Sequence, residues 1–262
     1  MNRENVADIL CIGAQRSMTS WLHQCISAHP RTWAFPDFQP VTSTAKEAHY
    51  WDWNHKRGAD WYRVLMRPLD ESLKSLDFTP EYAFLTDRQI EECHALSPGA
   101  RIIYILRDPL ARAVSAIRMH TVWSSKHAAA DAVSLTLDQS FLDKCRNARL
   151  SDHANYAGNL RRWRRRYPDL LVVNFEELRA NPLAGLRRVL GHCGLDWSAL
   201  DDAARATITE RAQRRVWATP AYALDADCLH FLHGATWLQR EATRAEAGLV
   251  FEEGDALLES IA

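Results

Sequence analysis

Residues 9–22, ILCIGAQRSMTSWL, decide how the first part of this chain folds. An apolar run ends at Gly13, a short polar loop follows, and a helical pattern begins near Thr19. This order of strand, loop and helix directs backbone N–H groups and a helix N-terminus toward one point, where an anion can bind. Arg16 adds a fixed positive charge to the loop. The stretch therefore predicts a binding site for a phosphate or sulfate group.

A second stretch of the same kind covers residues 102–115, IIYILRDPLARAVS. Its apolar run is typical of a buried strand, and Pro109 suits the first turn of the helix that follows. Arg107 comes directly after the strand, and Ser115 lies on the helix. A planar guanidinium and a hydroxyl together suit a phosphate dianion. Two anion-binding segments that follow two strands predict a nucleotide with phosphate groups at two places.

The first loop is not a nucleoside triphosphatase loop. That pattern, GxxxxGK[ST], requires a glycine and a lysine immediately before its hydroxyl residue. Counting from Gly13 places Met18 and Thr19 at those two positions. The sequence therefore excludes this class of phosphate site at the first loop.

Composition indicates a globular protein. The chain has 262 residues, of which 47% are hydrophobic and 25% charged, and we expect one domain over residues 1–262. A formal net charge of −1 excludes the basic surface needed for non-specific nucleic-acid binding. No signal peptide or apolar span of membrane length is evident, so we expect a cytoplasmic protein without a membrane partner. The oligomeric state is left open.

Cysteine and histidine spacing predicts no disulfide and no metal site. The six cysteines show no C-x-x-C pair, so we expect reduced and mostly buried thiols. His230 and His233 have a spacing that could bind zinc, but no clear further ligands accompany them. We therefore interpret this histidine pair as incidental.

Apolar periodicity and turn residues predict strands that alternate with helices. Strands are expected at residues 8–13, 101–106 and 170–175, and helices at 19–28, 60–66, 87–96, 109–120, 141–149 and 155–167. Prolines predict a loop over residues 31–45. The alternation predicts a three-layer α/β/α sandwich with a central parallel sheet and ligands at the carboxyl ends of its strands.

These motifs resemble the sulfotransferases that use 3′-phosphoadenosine-5′-phosphosulfate. The 5′ loop of that family, G-x-x-[KR]-x-G-T-T, is matched by Gly13, Arg16, Thr19 and Ser20. Its 3′-phosphate motif, R-D-P-x-x-R-x-x-S, is matched in full by residues 107–115. Residues 46–53, KEAHYWDW, are similar to the K-E-x-H-[FY]-[FW]-D segment of the heparan-type branch, which contains N-deacetylase/N-sulfotransferases and O-sulfotransferases. Residues 79–84, TPEYAF, resemble the T/S-P-x-Y segment of that branch.

The resemblance covers about residues 8–195, and four ordered motifs make it specific. It implies a P-loop-like sulfotransferase fold and the transfer of a sulfuryl group to a hydroxyl or amine, without a metal cofactor. It also implies that the cosubstrate, 3′-phosphoadenosine-5′-phosphosulfate, is bound by Gln15, Arg16, Ser17, Met18, Thr19, Ser20, Arg107 and Ser115.

Four residues are implied as catalytic. Arg16 aligns with the family cation beside the oxygen that bridges sulfate and 5′-phosphate, and Lys46 with a lysine close to the transferring sulfate. Glu47 aligns with the general base that removes the proton of the acceptor. His49 is the rival base or an orienting partner of Glu47. A surface ion pair between Lys46 and Glu47 is the structural alternative.

Two alternatives to a sulfotransferase stay open. Met18 stands where the family has glycine, at a position that often requires positive φ, and this favours a non-catalytic nucleotide-binding protein. A small-molecule phosphotransferase is the other alternative, although the loop lacks the lysine it would need. Ten tryptophans, several in the first quarter of the chain, favour a carbohydrate or natural-product acceptor.

Overall fold

The secondary structure alternates between strands and helices, as the sequence predicted. The computed structural model describes residues 4–36, 45–124, 134–214, 216 and 222–260. In chain order the strands are β1 (Ile9–Cys11), β2 (Thr32–Ala34), β3 (Lys74–Asp77), β4 (Arg101–Leu106), β5 (Ser134–Leu135), β6 (Leu171–Asn174) and β7 (Ala223–Leu224). The helices are α1 (Thr19–Ile26), α2 (Ala59–Leu65), α3 (Asp87–Leu96), α4 (Pro109–Ser124), α5 (Gln139–Asn147), α6 (Leu150–Ala154), α7 (Tyr156–Arg164), α8 (Phe175–Ala180), α9 (Pro182–His192), α10 (Asp202–Gln213), α11 (Ala226–Ala247) and α12 (Glu253–Glu259). Short 3-10 helices cover His55–Arg57 and Pro80–Phe84.

The contacts of the chain divide it into two compact units. The first contains Met1–Leu106 and Gly158–Val216, and the second contains Arg107–Ala157 and Trp217–Ala262. The single domain expected from the length stays a prediction.

The first unit is built on a five-stranded sheet in the order β2-β3-β1-β4-β6, and every neighbouring pair is parallel. Alternate residues of β4 point to opposite faces. Ile103 and Ile105 enter a buried cluster shared with α1, α8, α9 and α10. On the other face, the Tyr104 hydroxyl accepts a hydrogen bond of 3.1 Å from Asn159 of α7. Helices therefore cover both faces, which confirms the predicted α/β sandwich.

The second unit packs α4 against α5, α11 and α12. Its core contains Leu110, Ile117, Phe141 and Leu232, all buried. Strands β5 and β7 form a two-stranded parallel pair in which Ser134 faces Ala223. Arg107 lies just before α4, and Glu253 is the first residue of α12.

Sequence periodicity predicted some elements well and missed four short strands, β2, β3, β5 and β7. The bounds of α3 and β4 are those predicted. The predicted loop over residues 31–45 is wrong for Thr32–Ala34, because this short strand pairs with Lys74–Asp77. Residues 37–44 of that prediction lie outside the described part of the chain. The missed strands are two to four residues long, and β3 is also too polar for an apolar pattern to reveal it.

All six cysteines lie in described segments, and all six are buried and free. The expectation of buried thiols is therefore confirmed. Burial raises the pKa of Cys11 and Cys93 to about 12 each, so these thiols are unreactive at neutral pH.

Gly13 lies where the chain leaves the sheet. Its φ of 143° is in the range that side chains rarely adopt. A Cβ at this position would lie 3.0 Å from the Pro80 carbonyl oxygen and 3.2 Å from Cε2 of Tyr104. Backbone geometry and close packing therefore both require glycine here.

We expect Gly13→Ala to lower the free energy of unfolding by about 2–4 kcal/mol, because it combines an unfavourable φ with overpacking. Gly191→Ala is the matched control, since that helical glycine has nothing within 4 Å of its added Cβ. The control should raise the free energy of unfolding by about 0.5 kcal/mol. Urea unfolding followed by circular dichroism measures both, and equal effects of the two variants would contradict this interpretation.

Candidate active site

The loop between β1 and α1 contains two residues in left-handed backbone conformation. Arg16 has a φ of 68°, and Met18 has a φ of 64° with a ψ of 18°. The position that is glycine in the family therefore does have positive φ in this chain, which costs roughly 1–2 kcal/mol for a residue with a Cβ. The Met18 side chain packs against the buried cluster that contains Ile103 and Ile105. Met18 thus adopts the backbone conformation expected of a glycine at this position.

The N-terminus of α1 offers donors to an anion. Met18 is the N-cap residue and provides no side-chain hydrogen bond, and the first turn contains no acidic residue. The first N–H groups of a helix have no partner within the helix. The Ser17 hydroxyl is fully buried and has no partner among the described residues. These donors suit the oxygen atoms of a phosphate group. The residues present at this helix end therefore fit the phosphate of a nucleotide.

A buried carboxylate, Asp77 at the end of β3, fixes the segment that contains the predicted catalytic residues. It accepts four hydrogen bonds, from Ala48 N (3.3 Å), Thr79 Oγ1 (2.7 Å), the Tyr62 hydroxyl (2.9 Å) and the Tyr82 hydroxyl (3.1 Å). Burial raises the pKa of Asp77, while the donated hydrogen bonds act in the opposite direction.

Two of the side chains that donate to Asp77 also accept hydrogen bonds from the backbone of this segment. The Thr79 hydroxyl accepts from His49 N at 3.2 Å, and the Tyr82 hydroxyl accepts from Tyr50 N at 2.7 Å. Three consecutive backbone N–H groups, at residues 48–50, are therefore bound to one buried polar network. This network sets where Glu47 and His49 lie.

Glu47 lies between two cationic side chains. Its Oε1 pairs with the Lys46 ammonium, and its Oε2 lies 3.5 Å from Nε2 of His49. The side chain of Glu47 is 17% exposed, compared with 2% for His49. The Glu47 side chain is therefore partly open to solvent, whereas the His49 side chain is almost fully enclosed.

His49 is held on three sides. Its Nδ1 lies 2.7 Å from Oδ2 of Asp52, and its ring stacks on Trp53 with centroids 3.6 Å apart. Burial lowers the pKa of His49, but hydrogen bonds to Asp52 and Glu47 outweigh burial and raise the pKa to about 9. His49 is therefore an imidazolium at neutral pH and donates at both nitrogens.

Glu81 adds a third carboxyl group to this cluster. Its Oε1 accepts a hydrogen bond of 3.5 Å from Gln15 Nε2, which joins the loop between β1 and α1 to the cluster. Burial raises the pKa of Glu81 to about 7, while the charge of His49 acts in the opposite direction. One ligand atom each of Glu81, Asp52 and His49 lies within 4.8 Å of the others, a spacing that a metal ion could use. The short contact between His49 and Asp52 already pairs two of these groups.

His23 of α1 lies beside the same cluster. Its ring meets Phe78 edge-on at 5.2 Å, and its Nε2 is buried without a partner among the described residues. Burial and the nearby Lys46 ammonium lower the pKa of His23 to about 3, so this imidazole is neutral. One neutral histidine, His23, and one cationic histidine, His49, therefore lie near Glu47.

The predicted 3′-phosphate residues belong to the second unit. The Arg107 guanidinium donates to both oxygens of Glu253, with Nε–Oε2 at 2.8 Å and Nη2–Oε1 at 2.6 Å. Asp108 caps α4 by accepting from Ala111 N at 2.9 Å. Ser115 is half-buried on α4. The first unit brings Lys46, Glu47 and His49 together, with Gln15 linked to them through Glu81.

Sequence reasoning missed three residues of this cluster. Asp52 is the seventh residue of the KEAHYWDW segment, and its place three residues after His49 was a signal that could have indicated it. Glu81 occupies the variable position of the T-P-x-Y segment, and His23 lies on α1 between Leu22 and Gln24. Neither position has a pattern that indicates function.

Comparison with known proteins gives concordant matches. The profile of the sulfotransferase family matches residues 8–199. Mouse heparan sulfate glucosamine 3-O-sulfotransferase 3A1 is 30% identical over 195 residues, which cover 71% of this chain and 45% of the relative. Bovine bifunctional heparan sulfate N-deacetylase/N-sulfotransferase 2 is 27% identical over 208 residues, which cover 73% of this chain and 22% of the relative. The chain thus spans less than half the length of these relatives.

Solved structures agree on the fold. A sulfotransferase from Alicyclobacillus acidocaldarius superposes with a TM-score of 0.65 at 17% identity, over 94% of this chain and 96% of that chain. Mouse sulfotransferase SULT7A1 complexed with PAP superposes with a TM-score of 0.50 at 16% identity, over 99% and 90%. These likenesses confirm the predicted fold. Within the described segments, no helix is both long enough and apolar enough to cross a bilayer.

The raised pKa of Glu81 predicts a pH-dependent stability. Because the folded state holds this proton more tightly, the free energy of unfolding should fall between the ordinary glutamate pKa of 4.5 and about pH 7 and level off above. The total loss is on the order of 3 kcal/mol. The Glu81→Gln variant has no such proton to lose, so its free energy of unfolding should not fall in this way. The difference in free energy of unfolding between variant and wild type, measured by urea unfolding, should therefore shift in favour of the variant as the pH rises across that range. Parallel stability curves for the two proteins would contradict the assignment.

Proposed function

The chain belongs to the sulfotransferase family, and from that premise we propose that it transfers a sulfuryl group from 3′-phosphoadenosine-5′-phosphosulfate to a hydroxyl or amine. The acceptor is a carbohydrate or a natural product. The observation that supports this most directly is the Glu47 carboxylate, held between Lys46 and His49 at the partly open end of a buried polar network. No metal ion is invoked, and the cytoplasmic location stays a prediction.

Glu47 is the general base. It removes the proton from the acceptor as the acceptor oxygen or nitrogen attacks sulfur and the bond from sulfur to the 5′-phosphate oxygen breaks. His49 is unsuited to this role because a pKa of about 9 leaves it protonated at neutral pH. A protonated imidazole has no lone pair with which to accept a proton.

His49 is a positioning residue for Glu47. Asp52 holds one imidazole nitrogen, which aims the other nitrogen at the Glu47 carboxylate. Stacking on Trp53 fixes the plane of the ring. A base with a fixed direction loses less freedom when the acceptor binds, and correct orientation of this kind contributes strongly to catalysis.

The phosphosulfate is bound by the loop from Gln15 to Ser20. Backbone donors at the N-terminus of α1 and the hydroxyls of Ser17, Thr19 and Ser20 suit the 5′-phosphate. Arg16 stays charged at every working pH, so its role is to stabilise the negative charge that develops on the leaving oxygen. Lys46 neutralises the sulfate from the acceptor side. The left-handed conformation of Met18 favours an intact loop over a damaged, non-catalytic one.

The second phosphate is assigned to Arg107 and Ser115 on the strength of their complete motif. The guanidinium of Arg107 already makes two parallel hydrogen bonds to a carboxylate, and the same two donors suit two oxygens of a phosphate.

The surroundings of the base favour a sugar acceptor. Trp53 stacks on His49 with one face and is 61% exposed, so part of its ring is available to a ligand. Aromatic rings of this kind suit the apolar face of a sugar. Two relatives have names that specify heparan sulfate, which is consistent with a carbohydrate.

Glu47→Gln should lower the rate of sulfate transfer by about 10²–10⁴-fold while leaving the affinity for adenosine 3′,5′-bisphosphate within about twofold, because only proton removal is lost. Transfer of radiolabelled sulfate over a panel of amino sugars, oligosaccharides and phenols first identifies the acceptor. Glu91→Gln, at an exposed α3 glutamate paired with Arg166, is the matched control and should retain activity. An active Glu47→Gln variant would remove Glu47 as the base.

Arg107→Ala should weaken binding of adenosine 3′,5′-bisphosphate by about 10–100-fold, since it removes a charge-assisted contact worth roughly 1.5–3 kcal/mol. Binding of adenosine 5′-monophosphate, which has no 3′-phosphate, should be unchanged. Isothermal titration calorimetry measures both. Arg146→Ala, at an exposed arginine of α5 paired with Asp143, is the control. Equal weakening of both ligands would contradict the 3′-phosphate assignment.

A further inference from the structure

The Arg107 guanidinium is engaged by a carboxylate of its own chain. Glu253, the first residue of α12, accepts two parallel hydrogen bonds from it at 2.8 and 2.6 Å. Both side chains are largely buried, with 13% and 18% of their surfaces exposed. A carboxylate bound in this way presents two oxygens to the guanidinium, as a phosphate would.

A second arginine fixes the chain on both sides of Glu253. Arg240 of α11 donates to the Phe251 carbonyl oxygen at 2.7 Å, and its Nη1 lies 2.6 Å from Oδ1 of Asp255. Its Nε also lies 2.8 Å from Oδ2 of Asp108, the residue next to Arg107. Hydrogen bonding to Arg240 lowers the pKa of Asp255, in keeping with a strong ion pair. We call residues 251–255 the C-terminal latch.

Close packing at Gly254 completes the contact. A Cβ at this position would overlap both carboxylate oxygens of Asp108. The latch therefore lies directly against the start of α4, where the R-D-P motif is found. Only a residue without a side chain allows Glu253 to reach Arg107 in this way.

We propose that Glu253 is an intramolecular substitute for the 3′-phosphate, so that the C-terminal latch must release Arg107 before the nucleotide binds. This inference rests on the proposed function, since it takes Arg107 as the 3′-phosphate residue. Only molecules with an open latch bind the nucleotide. The apparent affinity for the nucleotide is therefore the intrinsic affinity multiplied by the fraction of molecules in which the latch is open. It also gives Arg107 a partner when the nucleotide leaves, which favours product release.

The test compares binding of two nucleotides to matched charge variants. Glu253→Gln removes the competing charge, and Glu259→Gln removes the charge of an exposed glutamate on the same helix. If about nine-tenths of the wild-type molecules are latched, Glu253→Gln should bind adenosine 3′,5′-bisphosphate roughly tenfold more tightly in calorimetry. Binding of adenosine 5′-monophosphate should not change, and Glu259→Gln should match the wild type.

A double-mutant cycle locates the effect at Arg107. In an Arg107→Ala background, Glu253→Gln should no longer tighten binding, because there is no guanidinium for which to compete. Gly254→Ala provides a variant without a charge change, since its Cβ should displace the latch and tighten binding in the same direction. Gly234→Ala of α11, which has open space around the added Cβ, is its control. Circular dichroism establishes that each variant is folded.

The outcomes separate this inference from the proposed function. If the wild type binds the bisphosphate and Glu253→Gln binds it equally or more weakly, the latch is overturned and the proposed function stands. An equal gain for both nucleotides, or from Glu259→Gln, would also overturn the latch. If neither the wild type nor Glu253→Gln binds the bisphosphate, the proposed function fails and the latch with it.

Discussion

The candidate site depends on the buried carboxylate of Asp77. Within the sheet, β3 ends at this residue, and its four donors come from the site segment, from the turn after β3 and from α2. A carboxylate without bulk solvent requires such partners, because an unsatisfied buried charge is very costly. The position of Glu47 is therefore a consequence of how Asp77 is satisfied. Disturbing any one donor would affect the backbone that holds Glu47, the proposed base.

Positive and negative side chains alternate through the site, and residues of the same type differ in protonation state according to their surroundings. Lys46, Glu47, His49 and Asp52 alternate in sign, so each carboxylate has a cationic neighbour. The two histidines show the same logic: His49 lies between carboxylates and keeps its proton, whereas burial and a nearby ammonium keep His23 neutral. Residue type alone would not separate these behaviours, since their causes are burial and the surrounding charge.

Much of this arrangement could be predicted from the sequence, and the rest depends on tertiary contacts. Long elements with clear periods, such as α3 and β4, have the predicted bounds. Strand β3 was missed because KSLD lacks an apolar pattern and becomes a strand by pairing with β1 and β2. Motif resemblance indicated Lys46, Glu47 and His49, which the fold brings together. The sequence around Glu81 and Glu253 does not indicate their positions in the structure, because each is hydrogen-bonded to a residue that is distant in sequence.

Met18 has a consequence for how related chains are recognised. The loop between β1 and α1 has a left-handed turn with a methionine in place of glycine, and the methionine side chain packs against the core. Backbone shape at this site is thus separable from the residue that usually provides it. Genome searches that insist on the glycine would pass over such chains, whereas a search that scores the strand, the arginine and the paired hydroxyls would retain them.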